Sequence, residues 1–175
     1  SPELRAAISD ESCVMPASSP DDTFPTIAPK DAREYRKLVC KELVIGKARL
    51  LRAPKHVAAR FTVTKASTGR QRPIWNGSSL SDAAAPPPRP HRLANPSCLP
   101  HVVYPPGTHV YLSKRDAASF FDVLAAPPCL RPWFAGPGIR ADALAKELDC
   151  TLAQLCSWID DGDENEVHPH TMLYP

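Results

Sequence analysis

Apolar residues recur at helical spacing in two stretches of this chain and alternate at strand spacing in two others. From Pro29 or Asp31 to about Val44, Tyr35, Leu38, Val39 and Leu43 fall on one face among charges, which predicts an amphipathic helix that Gly46 stops. A short apolar patch, Ala48 to Leu51, then leads to Pro54. Ala59-Arg60-Phe61-Thr62-Val63-Thr64-Lys65 is β-prone and alternating, Ser67-Thr68-Gly69 reads as a turn, and Gln71-Arg72-Pro73-Ile74-Trp75-Asn76 returns as its partner, so a β-hairpin is expected. Ser78 to Pro106 reads as a proline-rich loop. Thr108 to Ser113 alternates like a strand and hands over, through Asp116, to a short helix from Ser119 to Leu124.

Toward the end, Leu144, Leu148, Leu152, Leu155 and Ile159 keep helical spacing, and Thr151 with Gln154 three residues on forms a capping box. Two helices meeting at Asp149-Cys150 are therefore expected between Ile139 and Ile159. The overall expectation is an α+β fold in four parts: a disordered tail over 1–28, a main body over 29–138, a helical insert over 139–161, and an acidic, proline-containing loop over 162–175.

Composition narrows the function classes. No run approaches the ~18 apolar residues of a membrane-spanning helix, and the start, Ser1-Pro2-Glu3, lacks the basic and apolar regions of a signal peptide. Six cysteines without a CxxC pair read as intracellular thiols, not as a disulfide framework. Cys150, Cys156, His168 and His170 match no common zinc spacing. The net charge of +2 hides an asymmetry: Lys30 to Arg92 carries about +11 and Ala141 to Pro175 about −7. A dense positive stretch suits a phosphate-bearing partner, or else is a solvated surface.

Lys65 and Arg72, on opposite arms of one hairpin, offer a cationic grip for a triphosphate, and Asp116 at a strand end offers oxygen ligands to a hard metal. The segments Phe61-Thr-Val-Thr-Lys65 and Gly69-Arg-Gln-Arg72-Pro73-Ile74-Trp-Asn76, followed by Leu80, resemble the fingers motifs of reverse transcriptases. Leu112-Ser-Lys-Arg-Asp116-Ala-Ala-Ser-Phe120-Phe121-Asp122 is similar to motif A of the same family. The resemblance covers roughly Ala59 to Phe134 and is of the retroelement type. It implies a partial fingers-and-palm fold made of the hairpin, a motif A strand-helix unit and a carboxy-terminal helical insert.

For individual residues, the resemblance implies that Lys65 and Arg72 contact the nucleotide phosphates, that Asp116 is catalytic and binds Mg2+, and that Phe121 gates the sugar. The implied partners are an RNA or DNA template-primer and deoxynucleotides. Asn76 stands where the family usually has aspartate, and no glycine-bearing motif B follows motif A. Trp158-Ile159-Asp160-Asp161 mimics the aromatic-x-Asp-Asp of motif C but ends an expected helix. The chain is accordingly expected to lack polymerase activity by itself, because two-metal catalysis needs further carboxylates. Two alternatives stand beside this reading: a non-catalytic nucleic-acid-binding remnant that uses the basic half, and a helix-turn-helix at 142–159, disfavoured by that segment's acidity.

Overall fold

The computed structural model describes residues 2, 6, 9–66, 68–86, 101, 103, 105–109, 111, 125–161 and 166–175. Among the described residues it is a mixed α+β structure with four α-helices and two small antiparallel sheets of two strands each. The helices are α1 (Ala32–Val44), α2 (Ser78–Ala83), α3 (Ala141–Leu148) and α4 (Leu152–Leu155). The strands are β1 (Ala59–Thr64) paired with β2 (Gln71–Asn76), and β3 (Ile139–Arg140) paired with β4 (Met172–Leu173). None of the helices is long and apolar enough to cross a membrane among the described residues. The chain divides into two compact units, one formed by residues 1–85 with 126–175 and the other by residues 86–125.

In the larger unit α1 forms as its apolar spacing predicts. Tyr35, Val39, Cys40 and Leu43 are buried, and Gly46 ends the helix with a φ of 71° that a side chain would resist. The buried face of α1 packs against Leu144 and Ala145 of α3, Leu155 of α4 and Leu173 of β4, giving one continuous core. The expected division between α3 and α4 also holds: Asp149 takes the left-handed conformation at φ 52°, and Thr151 and Gln154 cap each other.

The Ala48–Leu51 patch is a thread through this core. Leu50 N–H donates to Trp158 O at 2.8 Å, Asp160 N–H donates back to Leu50 O at 2.9 Å, and Leu51 exchanges two 2.9 Å bonds with Tyr174. The chain immediately after α1 is thus held between two segments from the far end of the sequence.

The segment expected to be loop from Ser78 onward contains α2. Its first turn is organised by Asn76, whose Oδ1 accepts from Ser78 Oγ at 2.9 Å, and its apolar anchor is the buried Leu80. With Leu80 and Ala83 as its apolar residues in a single turn and a half, the segment is too short to show a periodicity, which is why the pattern missed the helix. In the smaller unit, Gly107 turns at φ 78° and Val103 and Tyr111 are exposed. The expected strand from Thr108 to Ser113 and helix from Ser119 to Leu124 fall largely on residues 110 and 112–124, outside the described residues.

One buried ion pair joins α1 to β1. Arg60 Nη1 and Nη2 donate to the two carboxylate oxygens of Glu42 at 2.8 and 2.7 Å, with both side chains at 15% exposure or less. The guanidinium also lies 6.0 Å from the Tyr35 ring centre, and Tyr35 Oη donates to Pro137 O at 2.9 Å. Removing one member of such a pair strands a charge away from water. Glu42→Ala is therefore expected to lower stability by about 3 kcal/mol, read as a lower urea midpoint at unchanged slope.

Candidate functional site

The hairpin forms in the expected place and in a single register, with Ala59 opposite Asn76, Phe61 opposite Ile74, Val63 opposite Arg72 and Thr64 opposite Gln71. Lys65 N–H donates to Arg70 O at 2.8 Å, so the ladder continues one pair beyond the strands, and Gly69 (φ 66°) takes the turn position where only glycine is unstrained. Side chains alternate along a strand, and directly opposed residues share a face. Phe61, Val63, Lys65, Arg70, Arg72 and Ile74 therefore fall on one side of the ribbon, and Arg60, Thr62, Pro73 and Trp75 on the other.

The second side is anchored at its base. Arg60 holds Glu42, Trp75 Nε1 donates to Ala135 O at 3.1 Å, and the Trp75 ring contacts Phe134 at a centroid distance of 5.6 Å. Toward the turn both sides are open to solvent, with Thr62, Thr64, Gln71 and Pro73 exposed as well. The ribbon is thus fixed at its foot and free at its tip.

Lys65 and Arg72 are both exposed on that common side, with no ion-pair partner among the described residues. Residues 59–76 contain no acidic side chain. Phe61 at 49% and Val63 at 40% exposure lie beside the cations, which makes the face both apolar and positive. The register brings together Lys65 and Arg72, the two phosphate-gripping residues expected from the sequence, and adds Arg70, which sequence reasoning did not single out. Its signal was available: five residues from Lys65, across a four-residue turn, a side chain returns to the same face. Asp116 and Phe121 lie outside the described residues, in the other compact unit.

The motif C mimic has a structural occupation. Asp160 Oδ1 accepts from Arg49 Nε at 2.8 Å and Oδ2 from Arg131 Nη1 at 2.6 Å. Asp161 caps the chain opposite, its two oxygens accepting from the N–H groups of Arg52 at 2.6 Å and Ala53 at 2.8 Å. Burial pushes the Asp160 carboxyl up, but the two arginine hydrogen bonds and charges outweigh it and hold the group below the ordinary aspartate range. Both carboxylates are engaged by the fold. Among the described residues no three His, Cys, Asp or Glu side chains gather as a metal site, so these residues do not by themselves fit a Mg2+ centre.

The helix-turn-helix alternative meets a similar obstacle. α4 is a single four-residue turn continued by a 3-10 turn at Cys156–Trp158, Leu155 is buried, and Gln154 Oε1 accepts from Thr151 N at 2.8 Å. A base-reading helix needs several turns with free side chains along the groove, so these observations favour the ribbon over this segment. No family model matches the chain, and neither a curated protein nor a solved structure does.

A carboxylate held below its ordinary range stabilises the fold fully above that range, and the benefit is lost as pH falls through its folded-state value. The protein should therefore lose stability as pH drops below about 4, in part through Asp160. Asp160→Asn should be less stable than wild type at neutral pH and should show a flatter decline across the same interval, measured by urea unfolding at a series of pH values.

Proposed function

We propose that this chain is a reverse-transcriptase-like protein of retroelement type, bearing the nucleotide-gripping ribbon and the first metal-binding aspartate of an RNA-directed DNA polymerase, and inactive as a polymerase by itself. The observation that carries the reading is the ribbon. Lys65 and Arg72, the two residues that the motif resemblance selects as phosphate contacts, share one exposed, acid-free face whose foot is anchored to the core. A solvent-exposed tip on an anchored base suits a cationic element that closes on a triphosphate.

In this reading Lys65 and Arg72 neutralise the phosphates of the incoming deoxynucleotide, and Phe121 screens its sugar. Asp116 is the residue that would hold Mg2+, whose chemistry in nucleotidyl transfer is to stabilise charge on the attacking and leaving oxygens. Two-metal catalysis needs more carboxylates than Asp116, and Asp160 and Asp161 are committed to Arg49, Arg131 and the backbone of residues 52–53. Polymerisation by this chain alone is accordingly not expected.

A second reading, a non-catalytic nucleic-acid-binding protein, is favoured by Phe61 and Val63. An exposed aromatic ring beside unpaired cations is the combination that holds a single strand by stacking and by backbone charge. The two readings differ in what displaces the strand: deoxynucleoside triphosphates compete under the first and not under the second.

Titration of a fluorescently labelled template-primer by anisotropy at several salt concentrations tests both. Binding should weaken with salt, and Lys65→Ala with Arg72→Ala should flatten the logarithmic salt dependence by about one to two contacts. A double variant with the wild-type slope would remove the ribbon from the interface. Primer extension by the wild-type chain in Mg2+ would refute the claim of inactivity.

A further inference from the structure

His56 lies in the connection that feeds β1, and its side chain is fully buried. Nδ1 faces Ser19 Oγ at 3.3 Å and Asp21 Oδ2 at 3.5 Å, both from the stretch ahead of α1. Asp21 Oδ2 in turn accepts from Ser79 Oγ of α2 at 2.8 Å. The opposite ring nitrogen, Nε2, is buried with no hydrogen-bond partner among the described residues. The ring stands edge-on to Trp75 of β2 at a centroid distance of 6.3 Å. One imidazole therefore meets the amino-terminal stretch and the ribbon's own foot, with Nδ1 facing polar partners and Nε2 facing none among the described residues.

The short 3-10 turn at Glu11–Cys13 buries no residue, and a cavity of about 500 Å3 lies under residues 11–19, bordered by Lys55 and Trp133. Further ties of this stretch include Glu11 to Lys55 and to Trp133 Nε1, Cys129 Sγ to Ser9 O at 3.5 Å, and Ala85 N–H to Val14 O at 3.0 Å, with Val14, Met15 and Pro16 half-buried. Docking of residues 9–22 thus depends on a few hydrogen bonds, of which the His56 group is the most buried.

We propose that His56 is a proton-operated latch, which holds residues 9–22 against the foot of the ribbon while the ring is neutral and releases them when it is charged. A charged imidazole must carry a proton on both nitrogens, and the proton on Nε2 would be buried with no acceptor among the described residues. Leaving a charged donor unsatisfied and buried is more costly than the compensation from Asp21, which is 38% exposed and at the limit of hydrogen-bond reach. Among the described residues Asp21 is the acid that faces the ring; β2 meets the ring through Trp75, Ser79 of α2 bonds Asp21, and the neighbouring Lys55 is turned toward Glu11. Burial accordingly pushes the His56 proton affinity down, with Asp21 opposing it in part.

The direction follows from linkage. Above the ordinary histidine value of about 6.5 both docked and released forms are neutral, and pH has no effect through this group. Below it the released form takes up a proton first, so docking weakens by up to about tenfold per pH unit until the docked ring also titrates. Because the ring stands against Trp75, and Asp21 is bonded to Ser79 of α2, release uncovers the base of the ribbon that presents Lys65 and Arg72. The latch rests on the local contacts and does not require the polymerase reading.

Hydrogen exchange of residues 9–22 in the full chain, corrected for the intrinsic pH dependence of exchange, tests it between about pH 7.5 and pH 5. Wild type should lose protection several-fold on acidification. Asp21→Asn removes the only attraction that offsets the charged ring, so its loss over the same range should be larger. His56→Phe fills the pocket without a proton and should show no change with pH in this interval. A pH response that persists in His56→Phe, or a loss in Asp21→Asn no greater than in wild type, would overturn the proposal. If His56→Phe fails to fold, the Asp21→Asn comparison decides alone.

Discussion

The bidentate pair between Glu42 and Arg60 is the constraint on which the arrangement of the larger unit rests. A two-stranded ribbon is marginal in water because it has no second layer to bury a face. Here its base is fixed by a charge pair whose members cannot be solvated elsewhere without leaving the partner stranded. Tyr35 completes the clamp by lying against the guanidinium while its hydroxyl reaches Pro137. Helix, ribbon and the chain leading into β3 thereby share one fixed point, and the geometry of the exposed cations inherits its precision from it.

The charge asymmetry of the sequence has a structural meaning that composition alone leaves open. Several cations of the basic stretch are matched by acids from the distant acidic one: Arg36 lies 3.9 Å from Glu147, and Arg49 is bonded to Asp160 at 2.8 Å. Lys55 and Arg60 are matched by Glu11 and Glu42. On the ribbon, Lys65, Arg70 and Arg72 have no such partner among the described residues. Part of the positive charge thus serves folding, and the ribbon's share is the part available to a polyanion.

The elements legible in the sequence are those set by short-range rules. The ribbon follows from alternation and a glycine turn, α1 from its apolar stripe and Gly46, and the α3–α4 break from a capping box four residues long. What escaped was decided by contacts remote in sequence. Arg60 reads as one more cation of a basic hairpin until Glu42, eighteen positions away, is brought under it. His56 shows nothing in the sequence of its burial, since its surroundings come from residues 19–21, 75 and 79. At the candidate site Lys65 and Arg72 share a face because both belong to one local element, and Asp116 and Phe121 lie outside the described residues.

Pro73 sits opposite Thr62 in the ribbon. Counting outward from the bonded pair Lys65–Arg70, bonded and non-bonded pairs alternate, and the Thr62–Pro73 pair is one whose main-chain donors would point away from the partner strand. Proline has no such donor, so β2 keeps its full pairing with β1 while presenting an interrupted outer edge. A strand from another molecule approaching along that side meets a missing hydrogen bond and, further along, like charge from Arg70 and Arg72. An exposed ribbon with apolar side chains can in this way remain open to a polyanionic ligand without serving as a template for sheet growth and aggregation.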